Sequence, residues 1–178
     1  MLLTKVKMAV AVVLAGGTEL NGRRTEEAVE VVDLQALDLV GIEPQAGDSL
    51  RIGAMTTLQQ LADSDHAPAV IREAARREHP STLRAQATVG GCIASGHAES
   101  ELLAALLVHE AVVDLASPVA TETVPLEALL ADLPIGPGRV LTAVTIHTAG
   151  AAAAVRTART PADRAIVAAF VRTADGGR

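Results

Sequence analysis

The chain has 178 residues and a formal net charge of −6, from 15 Lys and Arg against 21 Asp and Glu, with 49% apolar and 20% charged residues. One domain's worth of length excludes a multidomain machine, and the apolar share excludes a disordered chain. The acidic balance, without a basic run or an aromatic stacking face, argues against nucleic acid as a partner.

Ala, Val and Leu supply nearly all the apolar content, Phe170 is the sole aromatic, and Trp and Tyr are absent. Burial yields roughly 25 cal/mol per Å2 of apolar surface. Alanine offers little of it, so stability is expected from many small contacts or from a partner surface. The single cysteine, Cys92, can form no internal disulfide and no Cys-rich zinc or iron–sulfur cluster, which points to the cytoplasm.

Residues 1–15 carry two lysines before a short apolar run, a superficial likeness to a signal peptide. The run is far shorter than the roughly 20 residues that span a bilayer. It leads straight into Gly16-Gly17, and a buried strand over Val10–Leu14 explains it better. Short strands are expected at Val29–Asp33, Asp38–Ile42 and Ser49–Ala54, the last alternating Leu50, Ile52 and Ala54 with Arg51 and Gly53. Thr56 and Thr57 are placed to cap a helix to about Ala62, and Ala67–Glu78 reads as a second helix stopped by His79-Pro80.

Thr88-Val-Gly-Gly-Cys92 reads as a second glycine turn after Ser81–Arg84, followed by a helix from Glu99 to Leu107 with acids in its first turn. A hairpin is expected from Ala111–Ala116 and Ala120–Val124 around Ser117-Pro118, then a short helix from Pro125 to about Asp132. Arg139–Thr148 is a long alternating strand. Ala151–Ala158 and Ala165–Arg172 are two further strands, the second without a return strand before the terminal Gly-Gly, an exposed edge that suggests truncation.

A strand entering a glycine-rich loop lets backbone amides reach a phosphate unobstructed by Cβ. Ala15-Gly-Gly-Thr18 is neither a Walker loop nor a GxGxxG fingerprint, and alone it is most simply a turn. Two such loops, each followed by a hydroxyl or acidic residue, could hold both ends of a diphosphate.

The segments Val13-Leu-Ala-Gly-Gly-Thr-Glu-Leu20, Leu50-Arg-Ile-Gly-Ala-Met-Thr-Thr-Leu58 and Leu83-Arg-Ala-Gln-Ala-Thr-Val-Gly-Gly91 together resemble the FAD-binding (medium) subunit of molybdenum hydroxylases. This is the family of the carbon monoxide dehydrogenase medium subunit and the xanthine dehydrogenase FAD domain. Ile135–Val144 and Arg159–Val167 resemble the family's passage into its C-terminal lobe. Against the family pattern, the chain looks cut at both ends.

The resemblance implies an α+β fold of the PCMH type: a small N-terminal α/β subdomain, about 1–55, and a larger mixed or antiparallel sheet subdomain with flanking helices, 56–149. Residues 150–178 would then begin a truncated C-terminal lobe. It implies FAD as cofactor, its diphosphate held by Ala15, Gly16, Gly17, Thr18, Glu19 and Leu20. In the second motif, usually Thr/Ser-x-Gly-Gly-Asn followed by a Ser-Asp pair, the cofactor positions fall on Thr88, Gly90, Gly91, Cys92, Ser100 and Glu101. Cys92 stands where the family has Asn, removing an amide, and Glu101 lengthens the usual Asp. Ala85 replaces another customary Asn beside Arg84.

Several of these residues have plainer readings. Arg84 could meet a phosphate or hold its loop by bonding carbonyls, the latter being the simpler. Cys92 reads as a small buried filler rather than a reactive thiol. Glu99 and Glu101 are explained by helix capping, and the five histidines lack metal-ligand spacing. Arg72, Arg76 and Arg77 form a basic helix face of the kind usually solvated. No catalytic acid–base pair or metal site emerges.

The implied activity is electron transfer. Iron–sulfur clusters on a [2Fe-2S] small subunit would pass electrons from a molybdopterin-containing large subunit to FAD, and onward to an external acceptor. The alternative is an assembly subunit that keeps the fold and has lost flavin. An acidic surface, small core residues and an unpaired edge argue against a free monomer, so heteromeric assembly or homodimerisation is expected, with no membrane span.

Overall fold

The structure, a computed structural model, describes residues 12–19, 30–160 and 163–173. The start of the strand expected at Val10–Leu14, the residues before it and Leu20 therefore lie outside the described residues.

Strand β1 (Val12–Leu14) pairs in parallel with β2 (Val31–Asp33) to make a small two-stranded sheet. A five-stranded antiparallel sheet follows, in the order β3-β4-β7-β5-β6, from β3 (Ile42–Gln45), β4 (Ser49–Gly53), β5 (Val112–Ala116), β6 (Thr121–Pro125) and β7 (Val140–His147). The helices are α1 (Leu58–Asp63), α2 (Ala69–Glu78), α3 (Ser81–Arg84), α4 (Val89–Ser95), α5 (Glu101–Val108) and α6 (Leu126–Ala131). Strands β8 (Ala152–Thr157) and β9 (Val167–Arg172) form a separate antiparallel pair.

Alternation decides which sheet face is inside. Leu50 and Ile52 of β4, Val113 and Leu115 of β5, and Leu141, Val144 and Ile146 of β7 are buried with Leu58, Leu61, Ile71, Ile93, Leu102 and Leu106 of the helices. Arg51 and Asp114, on the strands flanking β7, form an ion pair. The core is filled as the composition requires: Ala54, Ala62, Ala67, Ala74, Ala75, Ala87, Ala105 and Ala111 are buried, and Phe170 packs on from outside.

Most expected elements are present within a few residues. Three expectations change. The strand expected at Asp38–Ile42 begins at Ile42 instead, and residues 38–41 cross the end of β4. There the amides of Gly53 and Met55 donate to the carbonyls of Gly41 and Leu39, and the Thr56 hydroxyl joins Gly41 at both its amide and its carbonyl. A Cβ on Gly53 would lie 2.2 Å from the Leu39 carbonyl oxygen, so this crossing requires glycine.

Second, Thr88–Cys92 is no turn. It is the N-cap and first turn of α4, with the Thr88 hydroxyl accepting from the Gly91 amide at 3.1 Å. Gly90 sits inside this helix because a Cβ there would come within 2.8 Å of the Ala54 side chain. Third, β3 and β4 are hydrogen-bonded through β7 into the same sheet as β5 and β6, so a division near residue 55 runs between strands of one sheet.

The β8–β9 hairpin docks on α5 through arginines. Arg156 Nε lies 3.1 Å from the Glu101 carboxylate, and Arg172 donates to the Val108 and Ala149 carbonyls at 2.8 and 2.9 Å. Among the described residues, β9 pairs with β8 alone. No helix among the described residues is long and apolar enough to cross a membrane.

Candidate functional site

The first glycine loop meets the second motif. β1 delivers Ala15–Gly17 to the segment leading into α4, and an added Cβ on Gly16 would fall 1.8 Å from the Gln86 carbonyl oxygen and 3.3 Å from the Ala87 Cα. Gly17 adopts a left-handed φ of 73°, and Thr18 and Glu19 are helical. One step further, Glu19 Oε1 stands 3.3 Å from Nε2 of His97, just past the C-cap of α4. The two motifs, far apart in sequence, are thus joined at both ends of the first loop.

Their amides are differently disposed. Among the described residues, no group accepts a hydrogen bond from the amides of Gly16 and Gly17. These two amides stand beside a helix start, an arrangement that lends backbone donors to an anion. At α4 the first amides are spoken for: Val89 donates to the Thr56 carbonyl, Gly90 to the Ala54 carbonyl and Gly91 to the Thr88 hydroxyl. Gly91 keeps an open flank, since a Cβ there would meet only the Thr88 hydroxyl, at 3.0 Å. The first loop can therefore grip a phosphate through its backbone, while α4 supplies a closely packed shelf.

The remaining residues named from the sequence have internal partners. Arg84 donates to the Gln59 side chain at 3.1 Å and to the Arg76 and His79 carbonyls at 2.8 and 3.4 Å, which is the loop-holding role. Ser100 is the buried N-cap of α5, accepting from the Leu103 amide at 3.0 Å. Glu101 is buried, 3.1 Å from Arg156 and 3.9 Å from Arg77. Cys92 is buried too, and burial, reinforced by the carboxylates of Glu78 and Glu19, pushes its thiol well above the ordinary range, so it stays protonated. The basic face of α2 is paired rather than open: Arg72 with Asp65, and Arg76 and Arg77 with Glu73.

Sequence reading did not pick out His97 as a partner of the first loop, nor Gln86 as the surface it packs on. Glu78 was missed as well; at the end of α2, its carboxylate accepts from the Leu102 amide at 3.1 Å and so caps α5. Each depends on a contact distant in sequence, with no local pattern to announce it.

Over residues 2–148 the sequence matches a family model described as the FAD binding domain in molybdopterin dehydrogenase. It is 41% identical over 102 residues to the uncharacterized protein YgfM of Escherichia coli K12, covering 57% of this chain and 39% of that one. It is 31% identical over 138 residues to the xanthine dehydrogenase FAD-binding subunit of Escherichia coli O157:H7, covering 73% of this chain and 46% of that one. The chain thus spans less than half the length of these relatives. Among solved structures, carbon monoxide dehydrogenase from Oligotropha carboxidovorans superposes with a TM-score of 0.76 at 31% identity, covering 90% of this chain and 60% of that one. Quinoline 2-oxidoreductase from Pseudomonas putida 86 gives a TM-score of 0.79 at 23% identity, over 92% and 61% of the two chains, a likeness of fold.

Proposed function

The chain belongs to the family of FAD-binding domains in molybdopterin dehydrogenases, and from that premise we propose that it carries the flavin of a molybdenum hydroxylase. In this role it receives electrons from the iron–sulfur clusters of a [2Fe-2S] small subunit, served by a molybdopterin-containing large subunit, and passes them to an external acceptor. The observation that carries the reading is the junction of the first loop with α4: two amides without acceptors among the described residues, next to a helix start, on a surface that admits no side chain at Gly16.

The residues present fit FAD. Gly16 and Gly17 would hold its diphosphate through their amides, and the open flank of Gly91 leaves room beside α4. When bound, the flavin supplies the redox chemistry. The protein's share is to bind and orient it, which requires no general acid or base of this chain. The lone, buried, reduced Cys92 is in keeping with a cytoplasmic setting.

The electron-transfer reading is tested by loading the chain with FAD, adding a reduced [2Fe-2S] partner subunit and following flavin bleaching by stopped flow. Bleaching at a rate that depends on partner concentration supports it. A flavin that stays oxidised, though bound, contradicts it.

A further inference from the structure

We propose that the outer face of the β8–β9 hairpin docks a second copy of this chain, the two hairpins packing face to face about a two-fold axis that runs along the strands. The proposal stands apart from the flavin, since it concerns the side of the hairpin turned away from α5.

The hairpin register sorts its residues onto two faces. On the inner face Arg156 reaches the Glu101 carboxylate, Arg172 the Val108 and Ala149 carbonyls, and Phe170 packs on the core. On the outer face Ala153 pairs with Val171, Val155 with Ala169 and Thr157 with Val167. All six are exposed, and the three valines are bared to 70% at Val155, 65% at Val167 and 60% at Val171. None of the six carries a charge. A polar-out alternation is what a solvated sheet face requires, and this face lacks it. Together the six side chains leave roughly 400 Å2 of contiguous, mostly apolar surface, as large as the patches that mark interaction sites on monomers.

The pattern of large and small residues selects a second copy as the occupant. An axis along the strands lays β8 of the second copy over β9 of the first, so each outer residue lies over the residue it pairs with inside its own hairpin. Val155 then sits over Ala169 of the second copy and Val171 over Ala153 of the second copy, each valine over an alanine, on both sides of the axis. Facing layers that alternate large and small in this way interdigitate across the sheet spacing of about 10 Å. An axis across the strands would stack Ala169 on Ala169 and Val155 on Val155, a gap beside a clash. The two faces with their rims remove about 1,000 Å2, the lower bound for a specific interface, so the dimer is expected to be reversible, with a micromolar Kd.

The test is sedimentation equilibrium of the full chain, without FAD, from about 1 to about 100 µM, for the wild type, Val155→Lys, Val171→Lys and Val119→Lys, with circular dichroism confirming that each variant folds. Val119, 94% exposed in the β5–β6 turn, is the control for an apolar residue outside the face. The expected wild type is a monomer–dimer equilibrium, weakened at least about tenfold by a lysine at Val155 or Val171 and unchanged by one at Val119. A wild type that stays monomeric at the highest concentration, one that associates beyond the dimer, or a dimer that both hairpin variants leave intact overturns the proposal. A monomeric wild type whose complex with the [2Fe-2S] subunit is lost in Val155→Lys overturns it too, and gives the face to that subunit. An FAD titration of the same wild-type sample reads the flavin assignment separately: a dimer that takes up no FAD overturns that assignment and leaves the docking surface standing.

Discussion

Gly16 faces the backbone of Gln86 so closely that a Cβ on the glycine would lie 1.8 Å from the Gln86 carbonyl oxygen. The glycine therefore serves the protein's own packing before it serves a ligand. Even Gly16→Ala should push the first loop off the segment before α4, costing about 1–3 kcal/mol in overpacking and lowering FAD affinity at least about tenfold. Gly91→Ala meets only the Thr88 hydroxyl, at 3.0 Å, and should leave stability within about 1 kcal/mol of wild type while weakening FAD. Thermal denaturation and FAD titration of the two variants separate packing from ligand contact.

Arg84 spends its donors on Gln59 and on the carbonyls of Arg76 and His79. Arg84→Ala should cost about 1 kcal/mol in urea denaturation, yet bind FAD within about twofold of wild type once folded. A large loss of affinity with unchanged stability would return Arg84 to the phosphate.

Cys92 is buried, and burial together with Glu78 and Glu19 suppresses its thiolate. Iodoacetamide at about pH 8 should label the native chain far more slowly than the chain unfolded in urea. Comparable labelling rates in the two states would contradict the burial of this thiol.

His109 is buried, donates from Nδ1 to the His147 carbonyl at 2.6 Å and, among the described residues, leaves Nε2 without a partner. Burial lowers its proton affinity; the bond to His147 works the other way but does not offset it. Below histidine's ordinary pKa of about 6.5, the unfolded chain takes up a proton that the folded chain resists, so stability should fall as pH drops through this range. Urea denaturation between about pH 7 and about pH 5.5 should show the decline, and His109→Gln should flatten it.

What could be read from the sequence follows from where the signals are local. β4 and β7 announce themselves by alternation, and α1 by Thr57, whose hydroxyl accepts from the Gln60 amide in a capping box. The strand Ile42–Gln45 leaves no clear sequence signal, because it is mostly exposed, contains Pro44 and has no apolar alternation. Two glycines in succession lower helix propensity and so hide α4 in the sequence, and only the contact of Gly90 with Ala54 explains why one must be there. In the site, the first loop was legible as a strand running into glycines. The Glu19–His97 pair joins residues 78 apart, and Glu101 meets Arg156 from 55 away, so neither leaves a pattern in the chain.

The most direct measurement is an FAD titration of the purified full chain, followed by flavin fluorescence and visible absorbance. Without Trp or Tyr the protein adds almost no signal of its own. Saturable binding of one FAD per chain, lost in Gly16→Ala, is the predicted result. A chain that takes up no flavin, or one whose affinity is unchanged in Gly16→Ala, would contradict the assignment of the cradle to the first loop.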